Sequence, residues 1–254
     1  MCVAHRYVDQ VGTFTPPDGL SGIGRLLQEV SYENARSYHD GGTGRENVLT
    51  VEVFQALDFL PRTGFLGAVM NAAHGADKAR ERLIEDIENT TVEVLVGDIT
   101  PTLESGLPAS WAIQPDAVIA GDSVTCLVEA KRLRPSRFQP EQVARCLHTV
   151  TDPNLDTLGF VLLVLADDPP IRVNGHGRVG LTTAVGIGLD RQGVAWKREE
   201  LTEVVAQRFA WITWAEIASC VQTALEDQPS SDASVHAAHA RLTSSISDSV
   251  RRHS

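Results

Sequence analysis

The chain has 254 residues, 43% of them hydrophobic, and its 22 Lys and Arg against 33 Asp and Glu give a formal net charge of −11. That length fits one large domain, or one domain with appendages, and that apolar fraction can fill a substantial core. The acidic balance argues against general electrostatic attraction to nucleic acid, and no apolar stretch reaches the length of a membrane span.

The opening "MCVAHRYVDQ" lacks the basic-then-apolar order of a secretory signal. Cys2, Cys126, Cys146 and Cys220 form neither a CxxC pair nor a zinc spacing, so a reduced cytoplasm is the expected setting. The first ~40 residues are rich in Gly, Pro and turn formers, with a short helical candidate at 22–38. "HDGGTG" (39–44) breaks the chain before "RENVLTVEVFQALDFLP" (45–61), a strongly apolar helix that should stop near Pro61. A helix around 65–72 follows, then "ADKARERLIEDIENT" (76–90), an amphipathic helix with Leu83, Ile84 and Ile87 facing inward.

The period then changes to two. "TVEVLVGDI" (91–99), "PDAVIAG" (115–121) and "SVTCLVEAK" (123–131) read as strands, and "FQPEQVARCLHTV" (138–150) as a helix. "LGFVLLVLA" (158–166) is apolar throughout, as a central strand buried on both faces would be. "LTTAVGIGL" (181–189) reads as a strand, "KREELTEVVAQ" as a helix, and "RFAWITW" (208–214) as a last strand leading into "AEIASCVQTALE". Beyond Pro229 large apolar residues thin out, leaving a polar tail with one weak helix carrying Leu242, Ile246 and Val250. The order predicts an α/β fold with a mixed central sheet flanked by helices.

Chemistry concentrates in the hairpin 115–131. A turn at Gly121–Asp122 places Asp116 opposite Leu127 and diagonal to Glu129. Alternation then sends Asp116, Leu127, Glu129 and Lys131 to one side, and Ala117, Ile119, Val124, Cys126, Val128 and Ala130 to the other. Two carboxylates so close repel unless a positive charge lies between them, and Mg²⁺, a hard ion that keeps several waters, suits such a site. Lys131 can orient an attacking water or offset charge developing on a phosphate. A basic stripe, "KRLRPSR", follows at once with Arg132, Arg134 and Arg137. As plain structure, the same residues would be solvent-facing polar positions on an edge hairpin.

Pro115-Asp116 followed by Glu129-Ala130-Lys131 resembles the signature of the PD-(D/E)XK, or restriction-endonuclease-like, nuclease superfamily. The resemblance implies an αβββαβ core over about half the chain. It also implies divalent metal held by Asp116, Glu129 and the Ala130 carbonyl, with Lys131 assisting the water. An acid on the first core helix often joins the metal in that superfamily. Glu46 holds that place, since Leu49, Val53 and Leu57 at i+3, i+7 and i+11 set the helix against the sheet and Glu52 points nearly opposite. As a first-turn acid, Glu46 serves equally well to complement the helix dipole. Gln142, with Gln139 as runner-up, corresponds to a glutamine that some relatives carry on the helix after the lysine. The fuller pattern of RecB-like nucleases places Tyr four residues further on, where this chain has Cys146.

The resemblance therefore implies a Mg²⁺-dependent endonuclease acting on DNA, with Mn²⁺ able to substitute and Arg132, Arg134 and Arg137 on phosphates. Its domain spans 45–228, between an N-terminal extension (1–44) and the tail (229–254). By analogy it is a restriction or phage-defence component, and a homo-oligomer or protein partner would supply further DNA affinity. The alternative is a catalytically silent subunit of the same fold that binds nucleic acid or assembles with a partner. His148, His176, His236 and His239 show no metal pairing on a credible helix face, and Trp211 and Trp214 read as core packing at a strand-to-helix corner.

Overall fold

The computed structural model describes residues 44–99, 111–131, 137–228 and 230–253. The helical candidate at 22–38 and the break at 39–43 lie outside them. Helix α1 (Gly44–Phe59) buries Leu49, Val53, Phe54 and Leu57 completely and stops before Pro61. Helices α2 (Leu66–Ala72) and α3 (Asp77–Glu85) follow, separated by the two-residue strand β1 (His74–Gly75). A 3-10 turn over Ile87–Asn89 then closes the expected amphipathic segment, with Leu83 and Ile87 buried and Ile84 packed beside them.

Strands β2 (Thr91–Val94), β3 (Ala117–Ala120) and β4 (Val124–Ala130) form an antiparallel meander. Helix α4 (Pro140–Val150), with its proline in the first turn, carries the chain over to β5 (Leu158–Leu165), which lies parallel to β4. A separate antiparallel pair, β6 (Ile171–Val173) and β7 (Gly177–Val179), precedes helices α5 (Leu181–Arg191) and α6 (Arg198–Arg208). Strand β8 (Phe209–Thr213) returns parallel to β5 and runs into α7 (Trp214–Asp227), and α8 (Ala233–His253) ends the described chain. The six-stranded mixed sheet has the order β1-β8-β5-β4-β3-β2, so β4 is internal. Among the described residues no helix is long and apolar enough to cross a membrane.

Alternation along the strands feeds two cores. Ala117, Ile119, Cys126, Val128, Phe160, Leu162 and Ile212 meet α1, α2, α3, α7 and α8 on one face. Val118, Leu127, Val161, Leu163 and Phe209 meet α4, α5 and α6 on the other. The protein is thus an α/β fold with helices covering both faces of a mixed sheet.

Strands β1, β6 and β7 are additional to the expected elements, and three expected elements take another form. Strand β2 ends early because Leu95 adopts a left-handed backbone (φ 53°), although Ile99 pairs again with Ile113. Residues 181–191 form helix α5 and not a strand. The small residues there answer a packing need: a Cβ on Gly188 would lie 2.1 Å from the Pro140 carbonyl oxygen of α4, and one on Gly186 2.5 Å from the Trp196 ring. Ala184, Val185 and Leu189 fall on the same buried side at helical spacing. The C-terminal segment carries one helix, as expected, but a 21-residue one that completes the first core. Thr243, Ile246, Ser249 and Val250 are buried, Leu242 packs beside them, and Arg252 reaches Glu52 of α1 at 3.4 Å.

Candidate functional site

The β3–β4 hairpin turns one residue later than the sequence indicates. Gly121 N–H donates to the Val124 carbonyl (2.9 Å), so Asp122 and Ser123 form the loop and Val118, not Asp116, faces Leu127. The shift moves every partner by two positions, which preserves the two faces.

Beyond the Ala117–Val128 pair the two strands come apart. Asp116 N–H also donates to the Val128 carbonyl (3.0 Å), so two successive residues of the β3 side address one residue of β4, as in a β-bulge. The next inward amide of β4, that of Ala130, would lose its ladder partner there. The carboxylate of Asp116 supplies it: Oδ2 accepts from Ala130 N–H at 2.7 Å. Half-buried Asp116 is thereby fixed in the fork between the strands.

Glu129 leaves β4 towards α4 and is 3% exposed. Its Oε1 accepts from the Lys131 ammonium at 2.6 Å and from the Gln142 side-chain amide at 2.8 Å. A buried carboxylate needs such partners, since removing one from a buried pair costs about 3–5 kcal/mol. Gln142, and not the exposed Gln139, is the glutamine that comes to the acid. Lys131 is itself held from three sides. Its N–H donates to the Val164 carbonyl of β5 (2.8 Å), and its carbonyl accepts from the indole N–H of Trp214 (2.8 Å). The Phe138 ring centroid lies 5.2 Å from its Nζ.

Asp116, Glu129, Lys131 and Gln142 thus come together at the end of β4, beside the Ala130 backbone. Arg137 is exposed at the start of the segment leading into α4. Arg132, Arg134 and the side chain of Glu46 lie outside the described residues. Among those described, no group of three or more His, Cys, Asp or Glu gathers as a metal site. Carboxylates and a backbone carbonyl are hard oxygen donors, the chemical type that Mg²⁺ takes.

Cys146, one turn past Gln142, is buried; burial and then the nearby Glu129 carboxylate push its thiol well up, so it serves as packing. His148 packs edge-on against Trp111 (4.8 Å) with its pKa lowered by burial, and His239 packs similarly against Phe65 (5.8 Å). Sequence reasoning treated Trp214 as core, which it is, but missed its bond to Lys131. The two residues are 83 positions apart, and no local signal joins them. Phe138 was missed for a related reason, since its place is set by pairing with Val173, which no local signal joins to it. The chain matches no family model, no curated protein and no solved structure.

Proposed function

We propose that the protein is a Mg²⁺-dependent deoxyribonuclease of the restriction-endonuclease-like type. The observation that carries this reading is the strand fork. Two acids on adjacent strands, Asp116 and Glu129, stand where β3 and β4 separate, with the Lys131 ammonium 2.6 Å from one of them. The run β2, β3, β4, α4, β5, with β4 and β5 parallel in mid-sheet, supports it, because it has the βββαβ order that the resemblance implies, although α2, β1 and α3 stand between α1 and β2.

In this reading Asp116, Glu129 and the Ala130 carbonyl would hold the cation, with Glu46 as a further acid. When bound, the ion supplies Lewis acidity and makes a water nucleophilic near neutral pH. Lys131 orients that water for in-line attack on phosphorus. The water oxygen forms one P–O bond and gives up a proton as the opposite P–O bond breaks, and the departing oxygen takes up a proton, so water is added across the bond. Gln142 fixes the Glu129 carboxylate by its amide, so the acid keeps one orientation as substrate arrives. Arg132, Arg134 and Arg137 contact the flanking phosphates.

The competing reading, a silent subunit that binds nucleic acid or assembles with a partner, draws on the same contacts. One oxygen of each acid already has donors within the protein, as a purely structural polar network requires. Incubation of supercoiled plasmid with Mg²⁺, Mn²⁺ or EDTA, beside the Lys131→Ala variant, decides between them. Nicking or linearisation that needs the ion and falls by about 10²–10³-fold without the lysine is expected. DNA binding with no cleavage under any of these ions would establish the silent subunit, and cleavage of an RNA at matched salt in place of the plasmid would move the substrate class.

A further inference from the structure

The two-stranded ribbon β6–β7 is docked onto the segment that leads from Lys131 to α4. Phe138 N–H donates to the Arg172 carbonyl and Asn174 N–H donates to the Phe138 carbonyl, both at 2.9 Å, so Phe138 runs parallel to Val173 as a third strand of the ribbon. This register decides what shares a face. Phe138, Ile171 and Val173 point inward and are buried. Arg137, Arg172 and Arg178 point outward and are exposed.

Arg172 and Arg178 are direct cross-strand partners, and Arg137 precedes Phe138 as Arg172 precedes Val173. Three arginine positions therefore stand side by side across the ribbon. Like charges directly opposite one another destabilise a strand pair, so folding alone gives no reason for this placement. The neighbouring acids offset it in part. Arg178 donates to the Asp168 carbonyl (2.6 Å) and lies 3.6 Å from the Asp167 carboxylate. Nearby, Arg191 pairs with Glu141 (2.9 Å) and contacts His176 (3.0 Å). Arg137 and Arg172 have no ion pair among the described residues.

We infer that Arg137, Arg172 and Arg178 form a phosphate-binding row that carries one strand of a nucleic acid past the site. Strands lie about 4.8 Å apart, so the row spans roughly 10 Å. That is the axial length of about three phosphates of one strand, at 3.4 Å each. The row begins at Arg137, the chain neighbour of Phe138, whose inward ring lies 5.2 Å from the Lys131 ammonium, so the row and the fork are joined through one residue. In a chain of net charge −11, attraction of this kind is local and needs a dedicated surface. The inference rests on the nuclease reading for its choice of polymer.

The test is fluorescence anisotropy of a fluorescein-labelled DNA duplex, in EDTA, over a series of NaCl concentrations. No cleavage is needed, so the outcome is independent of whether the fork is catalytic. Arg172→Gln should lower the slope of log affinity against log salt by about 1, and Arg172→Gln with Arg178→Gln by about 2. The double variant should bind about tenfold more weakly near 0.15 M salt, while Arg172→Lys retains most of the affinity. Both substituted positions are exposed, and melting temperature checks that the ribbon still folds. Unchanged slopes in the double variant would overturn the row even if the parent chain cuts plasmid. Equal binding of labelled polyglutamate with the same arginine dependence would reassign it to acidic polypeptides. Row-dependent DNA binding without any cleavage would keep the row and remove the nuclease.

Discussion

Asp116→Asn is expected to lose metal-dependent DNA cleavage by about 10³-fold or more while melting within a few degrees of the parent chain. The substitution is chosen for the fork. A carboxamide keeps an oxygen that can accept the Ala130 N–H now bound at 2.7 Å, so the strand separation persists while the negative charge disappears. Asp116→Ala removes both. It leaves the Ala130 amide without its acceptor, at a cost of about 1–3 kcal/mol, and should lower the melting temperature as well as activity. Thermal melts beside plasmid cleavage separate the two effects. Cleavage by Asp116→Asn at the parental rate would remove Asp116 from the chemistry and leave it as a strand cap.

A chain ending at Gln228 should fail to fold stably, with a melting temperature lower by at least ~10 °C if it melts cooperatively at all. Helix α8 buries Ile246 and Val250 against the first core, each contributing about 1.5–3 kcal/mol, and it covers part of α1. Removal exposes that apolar surface to water. Ile246→Asp in the full-length chain should show the same loss without shortening it, because it places a charge where the side chain is 0% exposed. Parental melting by the shortened chain would make the last helix an appendage.

What the sequence reveals and hides follows from the range of each interaction. Alternation along Ala117–Ala120 and Val124–Ala130 is local, so both faces of the hairpin were readable. The turn was placed one residue early because Gly121-Asp122 carries the stronger dipeptide signal, yet the resulting slip of two positions left every side chain on its proper side. Helix α5 read as a strand because its glycines answer Pro140 and Trp196, which lie elsewhere in the chain. Helix α8 read as a polar tail because few large apolar residues, Leu242, Ile246 and Val250, meet the core, and the buried positions between them include Thr243 and Ser249. At the site, the acids and the lysine were legible because their spacing along two paired strands sets their positions. The clamp by Trp214 and the alignment of Arg137 with Arg172 depend on tertiary register, which no window of sequence contains.

The bond from the Trp214 indole to the Lys131 carbonyl has a consequence for how this end of the sheet moves. A completely buried ring at the start of α7 grips the residue that follows the last paired position of β4, and that residue's own amide is tied to β5. Loosening the fork then requires withdrawing the indole from the core. Fluctuations that free Ala130 and Lys131 are thereby coupled to disruption of the whole domain, and their amide protons should exchange with solvent as slowly as those in the middle of β5. This corner of the sheet is a stiff platform, and in the proposed reading adaptation falls to the bound polymer.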